Sequence, residues 1–259
     1  SLNFMILNGS EGNMTDLASV VSTKHIDGDS IISCGGLTEI AERPTYDDMV
    51  KVHDTLTNLL QTSLGTVIAP SESSESLTGT YVTPTSPDRS PYYAMTIGPV
   101  RFLCMDTTKA GRKTLASGGK QVQWFLNQIQ STEWKSAGYR VILGSTPPCT
   151  SLWSIEDKYK TGKDNFLSKA ILPLIKKSGA TLAIFGEGHS YQRGVMVSTL
   201  ESFEDRPTQY IVSSGFNSPH LEKRGDWESL QDPSFLVRSS DLHYLKLQVT
   251  STSATLIAR

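Results

Sequence analysis

The chain has 259 residues and a mass of 28.3 kDa, long enough to bury a sizeable core with 37% apolar side chains. Its 24 basic and 26 acidic residues leave a formal charge of −2 and a pI near 6.2, which excludes a general nucleic-acid binder and disfavours anionic membranes. No apolar stretch approaches the roughly 18 residues of a membrane span, so insertion is excluded for a helix. Cys34, Cys104 and Cys149 are far apart and form no CxxC pair, so neither a zinc ribbon nor a disulfide framework is expected. Cys34 and Cys104 end apolar runs and read as buried free thiols.

In chain order, Phe4-Met5-Ile6-Leu7 predicts a buried strand, followed by a turn-rich loop from Asn8 to Asn13 and a helix from Thr15 to Lys24. Ser30 to Cys34 predicts a second strand, Asp47 to Gln61 an amphipathic helix, and Thr66 to Ala69 a third strand. Pro70 to Pro91 is a Ser-, Thr- and Pro-rich loop of a length expected of functional or mobile segments. Tyr92 to Ile97 and Val100 to Met105 flank Gly98-Pro99 and predict a hairpin. A helix from Gly119 to Thr132, a strand from Arg140 to Leu143, a helix from Asp164 to Lys177 and a strand from Thr181 to Phe185 follow. From Val195 the pattern turns all-β, with strands at Val195–Thr199, Thr208–Ser213, Tyr244–Val249 and Ala254–Ile257. This is an α/β chain read as an αββα sandwich, two mixed β-sheets flanked by helices, forming one domain over residues 1–259. Because it opens on Ser1, that domain is expected to be a piece excised from a longer protein.

Ligands of open α/β sheets bind beyond the carboxyl ends of the strands. Here those ends are residues 8–13, 35–39, 70–75, 144–150 and 186–193. The last of them, Gly186-Glu187-Gly188-His189-Ser190-Tyr191-Gln192-Arg193, resembles the Gly-His-x-His-x-Tyr-x-Arg block of the calcineurin-like metallophosphoesterases. Val100 to Thr107 resembles that family's strand ending in Leu-Asp-Thr, and Gln121 with Trp124-Phe125-Leu126 resembles its Gln-x-x-Trp-Leu helix. Val141 to Pro148 and Tyr210 to Gly215 are similar to two further strands of the purple-acid-phosphatase branch.

The resemblance implies a site for two metal ions about 3.5–4 Å apart that activate water and clamp a phosphate. It also implies where the ligands should stand. Ser10 occupies the place of the first ligand Asp, Gly36 that of the bridging Asp, and Glu39 that of the branch's Tyr. Ser71 and Glu72 replace the Asn and His of the third block, Ser145 the His of the fourth, and Glu187 the first His of the fifth. His189 alone keeps a ligand type. Glycine has no side-chain donor and serine is a poor ligand for such metals, so no metal or other cofactor is expected. Tyr191 and Arg193 keep their family positions and read either as a pocket for an anionic group or as a brace for the loop.

Two rival chemistries are open to the rim. Glu11, Glu39, Glu72, Glu75, Glu187 and His189 would together be a rebuilt carboxylate/His metal site, and with it a divergent phosphoester hydrolase. No spacing among them matches a calcium loop, so plain solvation is the expectation. Ser10 or Ser145 with His189 would be a metal-free hydrolase, but no Gly-x-Ser-x-Gly elbow is present. The reading is therefore a catalytically inactive phosphoesterase-like domain whose partner is another protein or a parent assembly. Trp153, Tyr159, Phe216 and Trp227 are candidates for its contact patch.

Overall fold

Strands buried on both faces read as unbroken apolar runs rather than as alternating ones, and the runs of this chain build two mixed sheets. The computed structural model describes residues 1–8, 28–35, 66–68, 90–108, 111–151, 166–186, 190–199, 207–215 and 233–259. Among them, β1 (Leu2–Ile6), β2 (Ser30–Ser33) and β3 (Thr66–Ile68) run parallel. With the antiparallel β11 (Leu245–Val249) and β12 (Ala254–Ala258) they form a five-stranded sheet in the order β12-β11-β1-β2-β3.

The second sheet is seven-stranded, in the order β10-β8-β9-β7-β6-β5-β4. Its parallel centre is β5 (Val100–Cys104), β6 (Tyr139–Gly144), β7 (Leu182–Phe185) and β9 (Thr208–Ser213). The antiparallel flanks are β4 (Tyr93–Ile97) on one side, and β8 (Tyr191–Met196) with β10 (Ser234–Ser239) on the other. The β4–β5 hairpin forms as predicted, turning at Gly98 with a left-handed φ of 55°.

Alternation within each run divides its residues between two cores. Phe102, Cys104, Val141, Leu143, Ile184 and Ile211 face Phe4, Ile6, Ile32, Leu245 and Leu247 across the sandwich. Their neighbours Leu103, Met105, Ile142, Ala183, Phe185, Tyr210 and Val212 face the helices. Those helices are α1 (Arg112–Leu115), α2 (Lys120–Gln130), α3 (Thr132–Ser136) and α4 (Phe166–Ser178). Phe125 and Ile129 of α2 and Ile171 and Ile175 of α4 press onto the sheet, each worth about 1.5–3 kcal/mol of burial.

The predicted helix over 119–132 stops at Gln130, because Ser131 leaves helical geometry to cap α3. Its hydroxyl accepts the Trp134 amide at 3.2 Å. Trp134 is buried and donates its indole N–H to the Ser178 carbonyl at the end of α4, 2.8 Å away. Residues 191–193, expected as loop, belong to β8, and no strand is expected where β10 lies. The predicted helices at Thr15–Lys24 and Asp47–Gln61 lie outside the described residues, as does the predicted loop apart from Ser90 and Pro91. No helix among the described residues is long and apolar enough to cross a membrane.

Candidate functional site

Parallel strands place their carboxyl ends at one edge, and in this sandwich the edges of the two sheets touch there. A Cβ on Gly186, just past β7, would overlap the carbonyl oxygen of Cys34, just past β2. Only glycine allows that approach. Asn8, the first residue beyond Leu7, accepts the Cys34 amide on its side-chain oxygen at 2.7 Å and so ties the end of β1 to that of β2. Burial pushes the Cys34 thiol far up, with the neighbouring Cys104 adding to the effect, so neither offers a thiolate.

Across the larger sheet the edge is filled with short neutral side chains bonded to one another. Ser145 has 0% exposure, and its hydroxyl lies 3.4 Å from that of Thr107. The Thr107 hydroxyl also accepts the Thr146 amide at 2.8 Å. Farther along, the Tyr210 hydroxyl accepts the Cys149 amide at 3.1 Å and donates to the Cys149 carbonyl at 2.9 Å. Gln192 closes the row from inside β8. Its oxygen takes the Ser151 amide and hydroxyl at 2.7 and 3.0 Å, and its NH2 reaches Thr150 and Ser190 at 2.6 and 2.9 Å. Arg238 Nε donates to the Ser151 hydroxyl at 2.8 Å. Residues 145–151 are thus sewn down along their whole length.

Among the described residues Asp106 is the buried carboxylate of this edge, and it too is engaged. It accepts from the amide and the hydroxyl of Thr108, while Gln121 brackets its backbone N–H and C=O. Gln121, which resembles the Gln of the family's Gln-x-x-Trp-Leu helix, therefore has a local purpose, holding α2 onto the end of β5.

A second cluster was not foreseen. His243, 7% exposed, sets Nε2 3.0 Å from the Ser213 hydroxyl and Nδ1 2.8 Å from the Asp241 carbonyl. Its amide donates to the Gly215 carbonyl at 2.9 Å, and a Cβ on Gly215 would run into its ring. The ring meets Tyr191 edge-on at 5.3 Å. Burial lowers the His243 pKa, opposed by the Asp241 carbonyl, so the ring stays neutral. The Ser–His–carbonyl line has the shape of an activated nucleophile, yet Ser213 and His243 are both buried and act as a clasp.

Of the residues singled out from sequence, Ser145, Tyr191 and Arg193 are described; Ser10, Gly36, Glu39, Ser71, Glu72, Glu187 and His189 lie outside the described residues. So do Glu11, Glu75, Trp153, Tyr159, Phe216 and Trp227. Tyr191 packs into the core between the sheets at 8% exposure, its pKa raised by burial against the influence of Arg193. Arg193, two residues on, is exposed.

No protein-family profile matches the chain. Among curated proteins it is 26% identical, over 177 residues, to the Arabidopsis thaliana protein named probable inactive purple acid phosphatase 9, covering 65% of this chain and 26% of that one. Purple acid phosphatase PPD1 from yellow lupin (Lupinus luteus) seeds superposes with a TM-score of 0.70 at 14% identity, over 100% of this chain and 51% of its own. This is the calcineurin-like metallophosphoesterase fold. GAP50, the anchor in the inner membrane complex of Plasmodium, shares it with a TM-score of 0.57 at 14% identity, over 95% of this chain and 80% of that one. PhoD does so with 0.58 at 11% identity, over 100% of this chain and 68% of that one. The chain spans about a quarter of the curated relative's length and about half of the lupin protein's.

Of the positions that the resemblance assigns to the ligands of two metals, Ser145 is the one described, and a serine does not fit such a metal. Its hydroxyl is engaged inside the protein. Asn8 Nδ2 is buried without a partner, but it is a donor, and a cation needs lone pairs. Among the described residues no three His, Cys, Asp or Glu side chains gather into a metal-holding group.

Proposed function

We propose that this chain is a catalytically inactive metallophosphoesterase-like domain, kept for its shape, with a binding or structural role toward another protein or a parent assembly. The observation that carries the reading is Ser145: at the fourth ligand position stands a fully buried hydroxyl, bonded to Thr107 and followed by a loop stitched to Tyr210 and Gln192. A metallophosphatase needs lone pairs aimed at water-accessible metal there, and a short, enclosed neutral side chain supplies none. Two comparisons add support. One relative carries the word inactive in its name, and one protein of the same fold is described as an anchor.

The test is metal content by plasma mass spectrometry, on protein purified without chelators and then offered Mn, Fe, Zn, Mg and Ca. Below about a tenth of an equivalent of each is expected, against about two for a dinuclear site. Near-stoichiometric metal that disappears on Glu187→Ala or His189→Ala, with turnover of p-nitrophenyl phosphate, would instead establish a hydrolase with a rebuilt carboxylate/His site.

A further inference from the structure

β12 is an edge of the five-stranded sheet, paired with β11 on one side and, among the described strands, with nothing on the other. Its ladder alternates. Tyr244 and Arg259 exchange both backbone hydrogen bonds, at 3.1 and 2.9 Å, so the pairs Lys246–Ile257 and Gln248–Thr255 do the same. The backbone N–H and C=O groups of Ala254, Leu256 and Ala258 therefore point off the open edge. Ala254, Thr255 and Ala258 are exposed, and Leu256 and Ile257 are half-buried. Proteins ordinarily guard such an edge with a bulge, a proline or a charge. β10, an edge of the larger sheet, has a bulge between Phe235 and Val237 and carries Arg238. β12 has none of these guards: its register is unbroken, and Ala-Thr-Leu-Ile-Ala holds neither charge nor proline. On the inner face Phe4, Leu247 and Leu256 stand in one row across β1, β11 and β12. Leu256 packs against the core between the sheets and closes that row, still half-open.

We propose that β12 pairs antiparallel with β12 of a second copy of this chain, about a two-fold axis through Leu256, joining two small sheets into one. The edge selects that occupant because it is complementary to itself. The axis sets Leu256 against its own counterpart and Ala254 against the copy's Ala258, and these are the residues whose backbone groups face outward. Each such pair exchanges two hydrogen bonds. Thr255 then falls opposite Ile257, a favoured pairing of β-branched side chains. Charge agrees as well. Arg259 lies opposite Ser253, about 20 Å along the strand from the copy's arginine. Crossing the joint, the row that starts at Lys246 reads Lys246, Ile257, Thr255 and Gln248, so no like charges adjoin. A two-fold axis normal to the sheet keeps both inner faces on one side, and the apolar row runs on into the copy. The pairing is isologous and closes at two subunits. It is independent of the metal question, because it uses the backbone of β12 and none of the ligand positions.

Sedimentation velocity on the 259-residue chain tests it. One strand pair buries less than about 1,200 Å², the range of weak complexes, so a dimer with a Kd of roughly 10–100 μM is expected. A chain still monomeric at about 500 μM would overturn the proposal and leave the edge to an extended segment of another protein. Ala258→Pro removes an outward N–H without touching the ladder to β11, a placement that edge strands accept. It should weaken dimerisation about tenfold or more while the diluted variant keeps its cooperative melt. Leu256→Lys and Leu256→Glu each set like charges against one another on the axis. Each alone should stay monomeric, and their equimolar mixture should dimerise at least about tenfold more tightly than either. A loss of fold would not be repaired by mixing. Unchanged dimerisation of Ala258→Pro, or a mixture no better than its components, would overturn the proposal.

Discussion

The two ends of the seven-stranded sheet are built from opposite materials. At the carboxyl end Thr107, Ser145, Thr146, Ser151, Gln192 and Ser213 are neutral and buried, with Thr107 bonded to Ser145 and Thr146, Gln192 to Ser151, and Ser213 to His243. At the amino end Arg101 and Arg140 sit side by side in register on β5 and β6, and α4 delivers Lys176 and Lys177 to the same end. Arg101 spans from Thr96 to Gln128, at 3.0 Å to each, and stays partly open. An enzyme of this fold concentrates charge where the strands end. In this chain the described part of that end is packed like a core from mostly neutral side chains, with Asp106 tied to Thr108. Polar groups at the carboxyl end therefore serve stability, while the amino end gathers cationic side chains.

That contrast can be broken by mutation, and the sharpest attempt is at Gln192. Gln192→Leu leaves the buried Ser151 amide without its acceptor and removes one bond from each of the Ser151, Thr150 and Ser190 hydroxyls, and a loss of about 2–4 kcal/mol in urea unfolding is expected. A loss under about 1 kcal/mol would mean that the row is wet and the cleft open. Ser145→His, which restores the family's side chain, should destabilise by about 1–3 kcal/mol through overpacking against Thr107. If it were tolerated and brought metal with it, the site would be vacant rather than filled.

Acid should loosen the clasp. The folded pKa of His243 is lowered by burial, so the unfolded chain binds the extra proton more readily. The stabilisation is complete above the unfolded value of about 6.5 and is lost as pH falls below it. A plot of melting temperature against pH should slope downward from about pH 6.5 toward 5, and His243→Gln should flatten it. The smallest effect belongs to the other end: Lys177→Glu should change stability by no more than about 0.5 kcal/mol.

Much of this was readable in the chain itself, for physical reasons. Leu182–Phe185 is buried on both faces and leaves an unbroken apolar run, and Val100–Cys104 is interrupted only by the half-buried Arg101. The Gly-x-x-His-x-Tyr-x-Arg remnant stands directly after one of them, which marked both the fold and the edge. Other features left weaker traces. Ser234–Ser239 is a flank strand with Leu236 and Val237 exposed, and its short apolar core after Pro233 resembled loop. The Ser213–His243 bond joins residues 30 apart through a change of sheet, which no local pattern encodes. Nor does a run such as Ser145–Ser151 announce its burial, since serine and threonine suit a wet loop and a saturated interior alike.

His243 also lies on the stretch where the chain leaves β10 in the larger sheet and enters β11 in the smaller one. Its bonds to Ser213 and Gly215 make that crossing a mechanical joint. β12 is an edge strand held through β11, so tension on Arg259 should peel it away bond by bond at low force. β11 would follow, and only then would the load reach the clasp and pass from the smaller sheet to the larger. An optical-trap trace should record that handover as a separate, higher rip, and a domain retained for its shape would gain from resisting traction at that point.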